Sequence, residues 1–303
     1  MKKTLYANGK LFIMGEYTVL DGSDAFALPT RFGQSLEVET NESDTIHWKS
    51  FDADGNVWLE ASLTLEEIWS RQESNPGVNT AETMLIKVLH EAHKVNPKIL
   101  TSGFDVATKL TFPRLWGLGT SSTLISLVAD WFGIDPYRLL AQTFGGSGYD
   151  IACAQQKEPL IFNMNDGNPT VRTVTFSPDF AGKLYFVYLN QKQNSREAVA
   201  AYREKDFDKK ALVDQINKLI EEVSTATDLS SFSSALEKQE ALLGGVLGIA
   251  PVQERLFPDF KGAVKSLGAW GGDFVLVASE ENPVEYFTEK GFTTIVPYKE
   301  MIF

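Results

Sequence analysis

The segment PRLWGLGTSSTLISLVADWFG, residues 113–133, most constrains what this chain can fold into. The preceding GFDVATKLTF alternates apolar and polar residues, which predicts a half-buried strand. Apolar residues from Leu124 to Trp131 then repeat at helical spacing, and Gly133 is well placed to end the helix. The sequence therefore predicts a strand, a glycine-rich turn and a helix N-terminus in direct succession.

This turn has the chemistry of an anion site. The first turn of a helix has free N–H donors and partial positive charge, and glycine lets the backbone approach a phosphate closely. Thr120, Ser121 and Ser122 add hydroxyls that can bind phosphate oxygens or a metal ion. The turn lacks the lysine of a P-loop and the third glycine of the dinucleotide fingerprint. Taken alone, the pattern favours a tight turn in which a hydroxyl residue caps the helix, so other segments must decide.

Charge and composition restrict the partners. A net charge of −12 and a pI near 4.8 disfavour nucleic acid and anionic membranes as partners, while a local phosphate site remains compatible. Cys153 is the single cysteine, which predicts a reducing compartment and a small buried apolar residue. The apolar run LFIM near the N-terminus is too short for a signal peptide, and no window is long enough to span a bilayer. A soluble, cytoplasmic protein is expected.

The coarse pattern predicts two domains. The first part contains strands, turns and an amphipathic helix, TAETMLIKVLHEAHKV, with Thr80 as its N-cap and with His90 and His93 as ordinary helix residues. Proline and glycine interrupt the pattern at residues 176–183, which predicts domains over 1–178 and 179–303. Strands and helices interleave in the second part, which predicts an α+β sandwich.

Four segments in order resemble the GHMP kinases, the family of galactokinase, homoserine kinase, mevalonate kinase and phosphomevalonate kinase. They are NGKLFIMGEYTVLDG, PRLWGLGTSST, GGSGYDIA and AVKSLGAWGGDFVLV. The GEY spelling and the late glycine segment are most similar to the bacterial type of phosphomevalonate kinase, and GYDIA marks a sub-branch. The resemblance spans nearly the whole chain. It implies an α+β fold of two α/β domains, the first like ribosomal protein S5 domain 2 and the second ferredoxin-like, with the active site in the cleft.

The resemblance also implies a phosphoryl transfer from ATP, which needs positioning, cations and a group that orients or deprotonates the attacking oxygen. Asp150 matches the catalytic aspartate, and from its residues alone it could equally cap the helix that follows it. Lys10 matches the family lysine that lowers the pKa of the acceptor oxygen or binds its phosphate; its other interpretation is a lysine that snorkels to the surface.

By the same resemblance, ATP and Mg²⁺ are the cofactors, and Ser121 is the residue that contacts magnesium. Gly268, Gly271 and Gly272 match the late segment that supports the nucleotide loop. The implied nucleotide-binding residues are Gly117, Leu118, Gly119, Thr120, Ser121 and Ser122. The implied substrate-binding residues are Glu16, Tyr17, Ser147, Gly148, Ser195 and Arg196.

Two departures from the family pattern stand out. No acidic residue lies between Asp135 and Asp150, a stretch in which mevalonate kinases carry a magnesium-holding glutamate. In the late segment, Trp270 replaces a small residue, and its indole would narrow the space beside the nucleotide loop. The resemblance implies an ATP-dependent kinase that acts on phosphomevalonate. Mevalonate or another small molecule is the alternative acceptor, and a ligand-binding homologue without turnover is the alternative of another class. The sequence leaves the nucleotide preference and the oligomeric state, monomer or homodimer, open.

Overall fold

The computed structural model describes residues 2–70, 80–165, 167–191, 195–270 and 272–303. The strands within these ranges are β1 (Lys2–Met14), β2 (Ala25–Thr40), β3 (Thr45–Phe51), β4 (Val57–Thr64), β5 (Phe104–Leu110), β6 (Leu160–Asn165), β7 (Asn168–Thr173), β8 (Leu184–Tyr188), β9 (Ala263–Ser266), β10 (Phe274–Ala278) and β11 (Ile295–Pro297).

The α-helices in the same ranges are α1 (Leu65–Trp69), α2 (Ala81–Val95), α3 (Thr120–Phe132), α4 (Pro136–Gln142), α5 (Tyr149–Ala154), α6 (Ser195–Arg203), α7 (Lys209–Ser224), α8 (Leu229–Leu247), α9 (Val252–Leu256), α10 (Val284–Glu289) and α11 (Tyr298–Met301). Across this described part of the chain, every helix is too short or too polar to cross a membrane.

The chain forms two compact units. Unit 1 comprises 1–9, 32–114 and 118–155, and unit 2 comprises 10–31, 115–117 and 156–303. This division differs from the predicted boundary at residue 178, because the chain passes between the units several times. β1 and β2 are 13 and 16 residues long and each contributes to both units. A turn signal in the sequence marks a local change of direction and carries no information about such crossings.

Unit 1 combines a sheet of order β4-β3-β5-β2 with helices α1 to α5. β3 runs parallel to β5 and the other pairs are antiparallel, so that Trp48 and Val38 both lie opposite Val106. These side chains are almost fully buried in a core with α2 and α3. The predicted strand at Phe104–Leu110, the Thr80 cap of α2 and the left-handed Gly133 that ends α3 are all confirmed.

His90 and His93, the two histidines of α2, both contact α1. His90 Nδ1 lies 2.8 Å from the carbonyl oxygen of Ile68, and His93 stacks on Trp69 with 5.7 Å between the ring centroids. Both residues therefore pack against α1, as expected of ordinary helix residues. Cys153 is also fully buried, as predicted.

Unit 2 contains an antiparallel sheet of order β11-β8-β10-β9. Helices α6 to α9 separate β8 from β9, and α10 separates β10 from β11. A βαββαβ chain with this strand order is the ferredoxin-like arrangement, which confirms the expectation for the second part. β10 is the central strand and all five of its residues are buried. In addition, the start of β2 pairs with β6, and β6 pairs with β7.

Two adjacent glycines of α8 provide a test of the packing in unit 2. A Cβ added to Gly244 would lie 2.8 Å from the carbonyl oxygen of Ile249, whereas a Cβ on the exposed Gly245 would meet nothing within 4 Å. We expect Gly244→Ala to lower the free energy of unfolding by about 1 to 3 kcal/mol through overpacking. Gly245→Ala should raise it by about 0.5 to 1 kcal/mol, because alanine favours helix. Urea unfolding of both variants measures this, and equal effects would contradict the described packing.

Candidate active site

The nucleotide loop, Gly117–Ser122, has the backbone conformation that its glycines permit. Gly117 and Gly119 have φ angles of 69° and 98°, both in the left-handed region. Gly119 is the N-cap of α3, and its carbonyl oxygen accepts the first helical bond from the Thr123 N–H at 2.9 Å. The N–H groups of Thr120, Ser121 and Ser122 precede that bond, which is where a helix offers donors to an anion.

The side chains of the loop divide into outward and inward groups. The Ser121 side chain is exposed and Thr120 is half-buried. Ser122 is 2% exposed, and its hydroxyl donates to the Gly119 carbonyl oxygen at 2.8 Å. Leu118 is fully buried, so it could offer a ligand only its backbone. The Ser122 hydroxyl thus stabilises the loop itself, and its contact with a nucleotide stays a prediction.

Thr123 was missed in the sequence analysis. Its hydroxyl lies 2.7 Å from Oε1 of Gln34, and both side chains are buried. The bond fixes the first turn of α3 to β2. Because the two residues are 89 positions apart, no local pattern signals the contact.

The first residues of this segment, Leu115–Gly117, belong to unit 2 and are held there by side chains. The Tyr188 hydroxyl donates to the Leu115 carbonyl oxygen at 2.8 Å, and Trp116 packs edge-on against Phe274 with 5.4 Å between ring centroids. Lys10 Nζ donates to the Gly117 carbonyl oxygen at 2.9 Å. Lys10 is half-buried at this point of β1, so it positions the loop whatever else it does.

The late glycine segment, Gly268–Gly272, begins with a left-handed turn. Gly268 has a φ of 65°, and Trp270 has a φ of 59°, which is uncommon for an aromatic residue. The Trp270 indole is 4% exposed, and its ring edge would lie 3.5 Å from a Cβ added to Gly244 of α8. The indole therefore packs against α8, and its effect on the space beside the nucleotide loop stays a prediction. Gly271 lies outside the described residues.

Asp150 lies in the first turn of α5, directly after a run of three left-handed glycines at 145, 146 and 148. The N-cap is Gly148, so the alternative interpretation of Asp150 as the N-cap is wrong. Its Oδ1 lies 3.1 Å from the Ile151 N–H, and the side chain is half-buried. Tyr137 is close enough that burial, Cys153, Asp135 and Asp150 together raise its phenol pKa to about 12. Asp150 thus combines a fixed backbone with partial access to solvent.

Glu16 has surroundings that the sequence analysis did not anticipate. Its side chain is 1% exposed, and Oε1 accepts from Lys265 Nζ at 2.5 Å. Its Oε2 accepts from the Gln239 amide at 2.5 Å. Both oxygens of this buried carboxylate are already hydrogen-bonded within the protein, and the direct contact between Glu16 and a substrate stays a prediction. The missed signal is Lys265, a lysine in the buried strand β9.

A second carboxylate joins this buried cluster. Glu240 follows Gln239 on α8, and its oxygens accept from the Ser266 N–H at 3.1 Å and the Val252 N–H at 3.3 Å. Burial raises the pKa of Glu240 to about 7, and the neighbouring charge of Glu16 adds to the rise while Lys265 opposes it. Burial also raises the pKa of Glu16, although Lys265 directly favours its charged form. The cluster therefore holds one lysine and two carboxyl groups, and burial raises the pKa of both carboxyl groups.

Tyr17 follows Glu16 and is itself constrained. Its φ of 62° and ψ of −49° are rare for a non-glycine residue, and its ring stacks on Tyr202 at 5.2 Å. The Tyr202 hydroxyl donates to Asp21 at 2.7 Å, and Lys209 pairs with the same carboxylate. Burial, and secondarily the Glu16 carboxylate, raise the Tyr17 pKa to about 12. The phenol of Tyr17 is therefore neutral near physiological pH.

The remaining predicted residues are at the start of helices. Ser147 is half-buried and Gly148 is buried at the beginning of α5. α6 begins at Ser195, but the side chains of Ser195 and Arg196 lie outside the described part of the chain. In the ranges that are described, no group of three or more histidine, cysteine, aspartate or glutamate side chains is arranged to hold a metal ion.

The raised pKa of Glu240 generates a prediction about stability. The folded state binds this proton more tightly than the unfolded state, whose pKa is near 4.5, so the stabilisation is complete below pH 4.5 and is lost as pH rises through about 7. In the wild-type protein, the free energy of unfolding should therefore fall between pH 5 and pH 8. We expect this fall to be smaller in Glu240→Gln by about 1 to 3 kcal/mol. Urea unfolding at both pH values measures it. Glu237→Gln, an exposed position on the same helix, is the control, and an unchanged pH dependence in Glu240→Gln would exclude this assignment.

Comparison with known proteins shows what the chain resembles. No protein-family model and no curated protein sequence matches it. Among solved structures, the mevalonate kinase of Methanococcus jannaschii superposes with a TM-score of 0.71 at 19% identity, over 96% of this chain and 95% of that one.

Two further kinases are similar in structure. The Streptococcus pneumoniae phosphomevalonate kinase in complex with phosphomevalonate and AMPPNP gives a TM-score of 0.69 at 14% identity, with 95% of each chain covered. The Lactococcus lactis galactokinase complexed with galactose gives 0.69 at 13% identity, over 95% of this chain and 88% of that one. The chain therefore has the two-part α+β fold shared by these GHMP kinases, which confirms the predicted fold class.

Proposed function

We propose that this chain is an ATP-dependent kinase of a small molecule and that phosphomevalonate is its acceptor. The observation that carries the proposal is the nucleotide loop, in which left-handed glycines open the N-terminus of α3 and leave the Ser121 hydroxyl exposed. The fold, shared with three kinases of different acceptors, supports the reaction class. The GEY spelling of the first segment supports the acceptor.

The loop is proposed to hold the phosphates of ATP. The N–H groups of Thr120–Ser122 face the ligand at the positive end of the α3 dipole, and Gly117 and Gly119 leave space for the phosphate oxygens. Mg²⁺ prefers one or two protein ligands together with phosphate oxygens and water. The exposed Ser121 hydroxyl fits such a partial ligand set, and the described residues hold no complete one. Bound with ATP, the ion would neutralise charge that develops on the transferred group.

Asp150 and Lys10 are proposed as the catalytic residues. The Asp150 carboxylate, on a short helix after the glycine turn, would orient the acceptor hydroxyl or take its proton as transfer proceeds. The Lys10 ammonium would supply positive charge to the attacking oxygen. Lys10 already binds the Gly117 carbonyl oxygen, so it has a second role in holding the nucleotide loop.

The acceptor is proposed to contact Tyr17, Ser147 and Gly148, together with Ser195 and Arg196. A neutral phenol at Tyr17 can donate a hydrogen bond to a carboxylate or a phosphate without a charge penalty. Glu16 has a positioning role in this proposal, because its ion pair with Lys265 fixes the backbone that leads into Tyr17.

Asp150→Asn separates the catalytic role from a structural one. The change keeps the shape of the side chain and removes its charge. We expect kcat to fall about a hundredfold or more, the usual scale for loss of a general base, with nucleotide affinity little altered. Asp135→Asn is the matched control, because Asp135 caps α4 and asparagine caps as well. Steady-state kinetics and calorimetric titration of AMPPNP make the comparison. Near-normal turnover of Asp150→Asn would reject the catalytic role.

Lys10→Met gives a second, different signature. It removes the bond to the Gly117 carbonyl oxygen as well as the charge, so nucleotide affinity and kcat should both fall. The variant that combines Lys10→Met with Asp150→Asn tests whether the two residues act on one step. A decrease in kcat far smaller than the two single effects combined would support this.

The acceptor is tested by ADP release with phosphomevalonate, mevalonate, homoserine and galactose at equal concentration. We expect phosphomevalonate to be turned over at least as fast as mevalonate. A clear preference for mevalonate would contradict the branch assignment and leave the kinase reaction intact. Nucleotide binding without turnover of any acceptor would favour a ligand-binding homologue.

A further inference from the structure

We infer that Asp273 makes nucleotide binding at the loop dependent on a divalent cation. The inference rests on the proposed function and adds a residue to it. Asp273 lies in the late segment AVKSLGAWGGDFVLV, between Gly272 and β10.

The backbone of Asp273 has a fixed position in unit 2. Its carbonyl oxygen accepts from the Leu189 N–H at 2.7 Å, and the Gly272 carbonyl oxygen accepts from the Gln191 N–H at 3.0 Å. These bonds extend the pairing of β10 with β8 beyond the strand ends. The side chain therefore starts from a rigid point of the sheet.

The Asp273 carboxylate lies directly against the nucleotide loop. A Cβ added to Gly117 would be 1.9 Å from Oδ2 and 2.3 Å from Cγ of Asp273, so only glycine leaves room for the carboxylate. Gly117 also has a φ of 69°, which side chains rarely adopt. Two separate constraints, backbone conformation and the space that Asp273 occupies, thus require glycine at this position.

The loop is held where it meets this carboxylate. Tyr188 donates to the Leu115 carbonyl oxygen and Lys10 donates to that of Gly117. The charge of Asp273 also reaches the Tyr188 phenol, whose pKa is raised by burial and then by this carboxylate. Movement of the loop away from Asp273 would therefore break bonds from both β1 and β8.

A carboxylate at the first residue of a phosphate loop has a definite electrostatic consequence. The carboxylate repels a polyphosphate, the Lys10 ammonium at the Gly117 carbonyl oxygen offsets part of that repulsion, and a divalent ion on the phosphate oxygens turns the remainder into attraction. The described residues contain no group of three or more histidine, cysteine, aspartate or glutamate side chains arranged to hold such an ion, and the inference has the ion arrive with the nucleotide. Asp273 would then favour binding of the metal-loaded nucleotide over the free one. It would supply a carboxylate near the metal in a chain that has no acidic residue between Asp135 and Asp150.

The test measures binding of AMPPNP by calorimetry, once with excess Mg²⁺ and once with a chelator. For the wild-type protein we expect the magnesium-loaded form to bind at least about tenfold more tightly than the free form. Asp273→Asn should bind free AMPPNP about three- to tenfold more tightly than wild type does, and its preference for the loaded form should fall below about threefold. Electron paramagnetic resonance of Mn²⁺ with AMPPNP gives an independent readout, because loss of a coordinating or nearby carboxylate changes the signal of the bound ion.

Controls separate the possible outcomes. Asp228→Asn changes the same charge at the N-cap of α8 and should leave both affinities unchanged. Asp273→Ser, with a smaller side chain, replaces Asp273→Asn if the latter does not fold. An unchanged preference in either folded variant, or an equal loss of affinity for both forms, would overturn the inference and assign Asp273 to loop packing. Failure of wild type to bind either form would instead reject the proposed function.

Discussion

The ion pair between Lys265 and Glu16 is the interaction on which the rest of unit 2 depends. Both side chains are 1% exposed, and charges removed from water are tolerated only when they are paired and hydrogen-bonded. Lys265 Nζ donates hydrogen bonds to the Glu16 carboxylate and to the Ser266 carbonyl oxygen, and the Gln239 amide donates to the other oxygen of Glu16. Removal of either partner alone would strand a buried charge, at a cost of about 3 to 5 kcal/mol. The pair thereby ties the end of β1 to α8 and β9.

Segments that are distant in the chain depend on one another through such contacts. Lys10 and Gly117 are 107 positions apart, and Lys265 and Glu16 are 249 apart. The first segment therefore supplies a lysine that holds the nucleotide loop and a glutamate that holds β9, directly before the late glycine segment. Contacts within unit 2 thus connect the first segment both to the start of the nucleotide loop and to β9.

The sequence predicted the elements whose determinants are local. α2 with its Thr80 cap, β5 with its alternation, and α3 between its glycines follow from residues within one or two turns of each other. The domain boundary did not follow, because β1 and β2 each contribute to both units. The burial of Glu16 and the inward hydroxyl of Ser122 were also missed. Charge and polarity suggest exposure, and only the tertiary partners Lys265 and Gly119 reverse that expectation.

The fold of this chain does not by itself specify the proposed acceptor. The same backbone arrangement occurs in a mevalonate kinase, a phosphomevalonate kinase and a galactokinase at 13% to 19% identity to this chain, so the fold cannot select the acceptor. Selection requires side chains held in one orientation. The Tyr17 side chain is held in this way, because the ion pair fixes the preceding residue, Glu16, and the ring of Tyr202 stacks on that of Tyr17. A rare backbone conformation that is held by packing on two sides is preorganised, and contacts made by preorganised groups cost less ordering entropy on binding. The buried charges of unit 2 therefore add rigidity at Tyr17, the residue proposed to contact the acceptor.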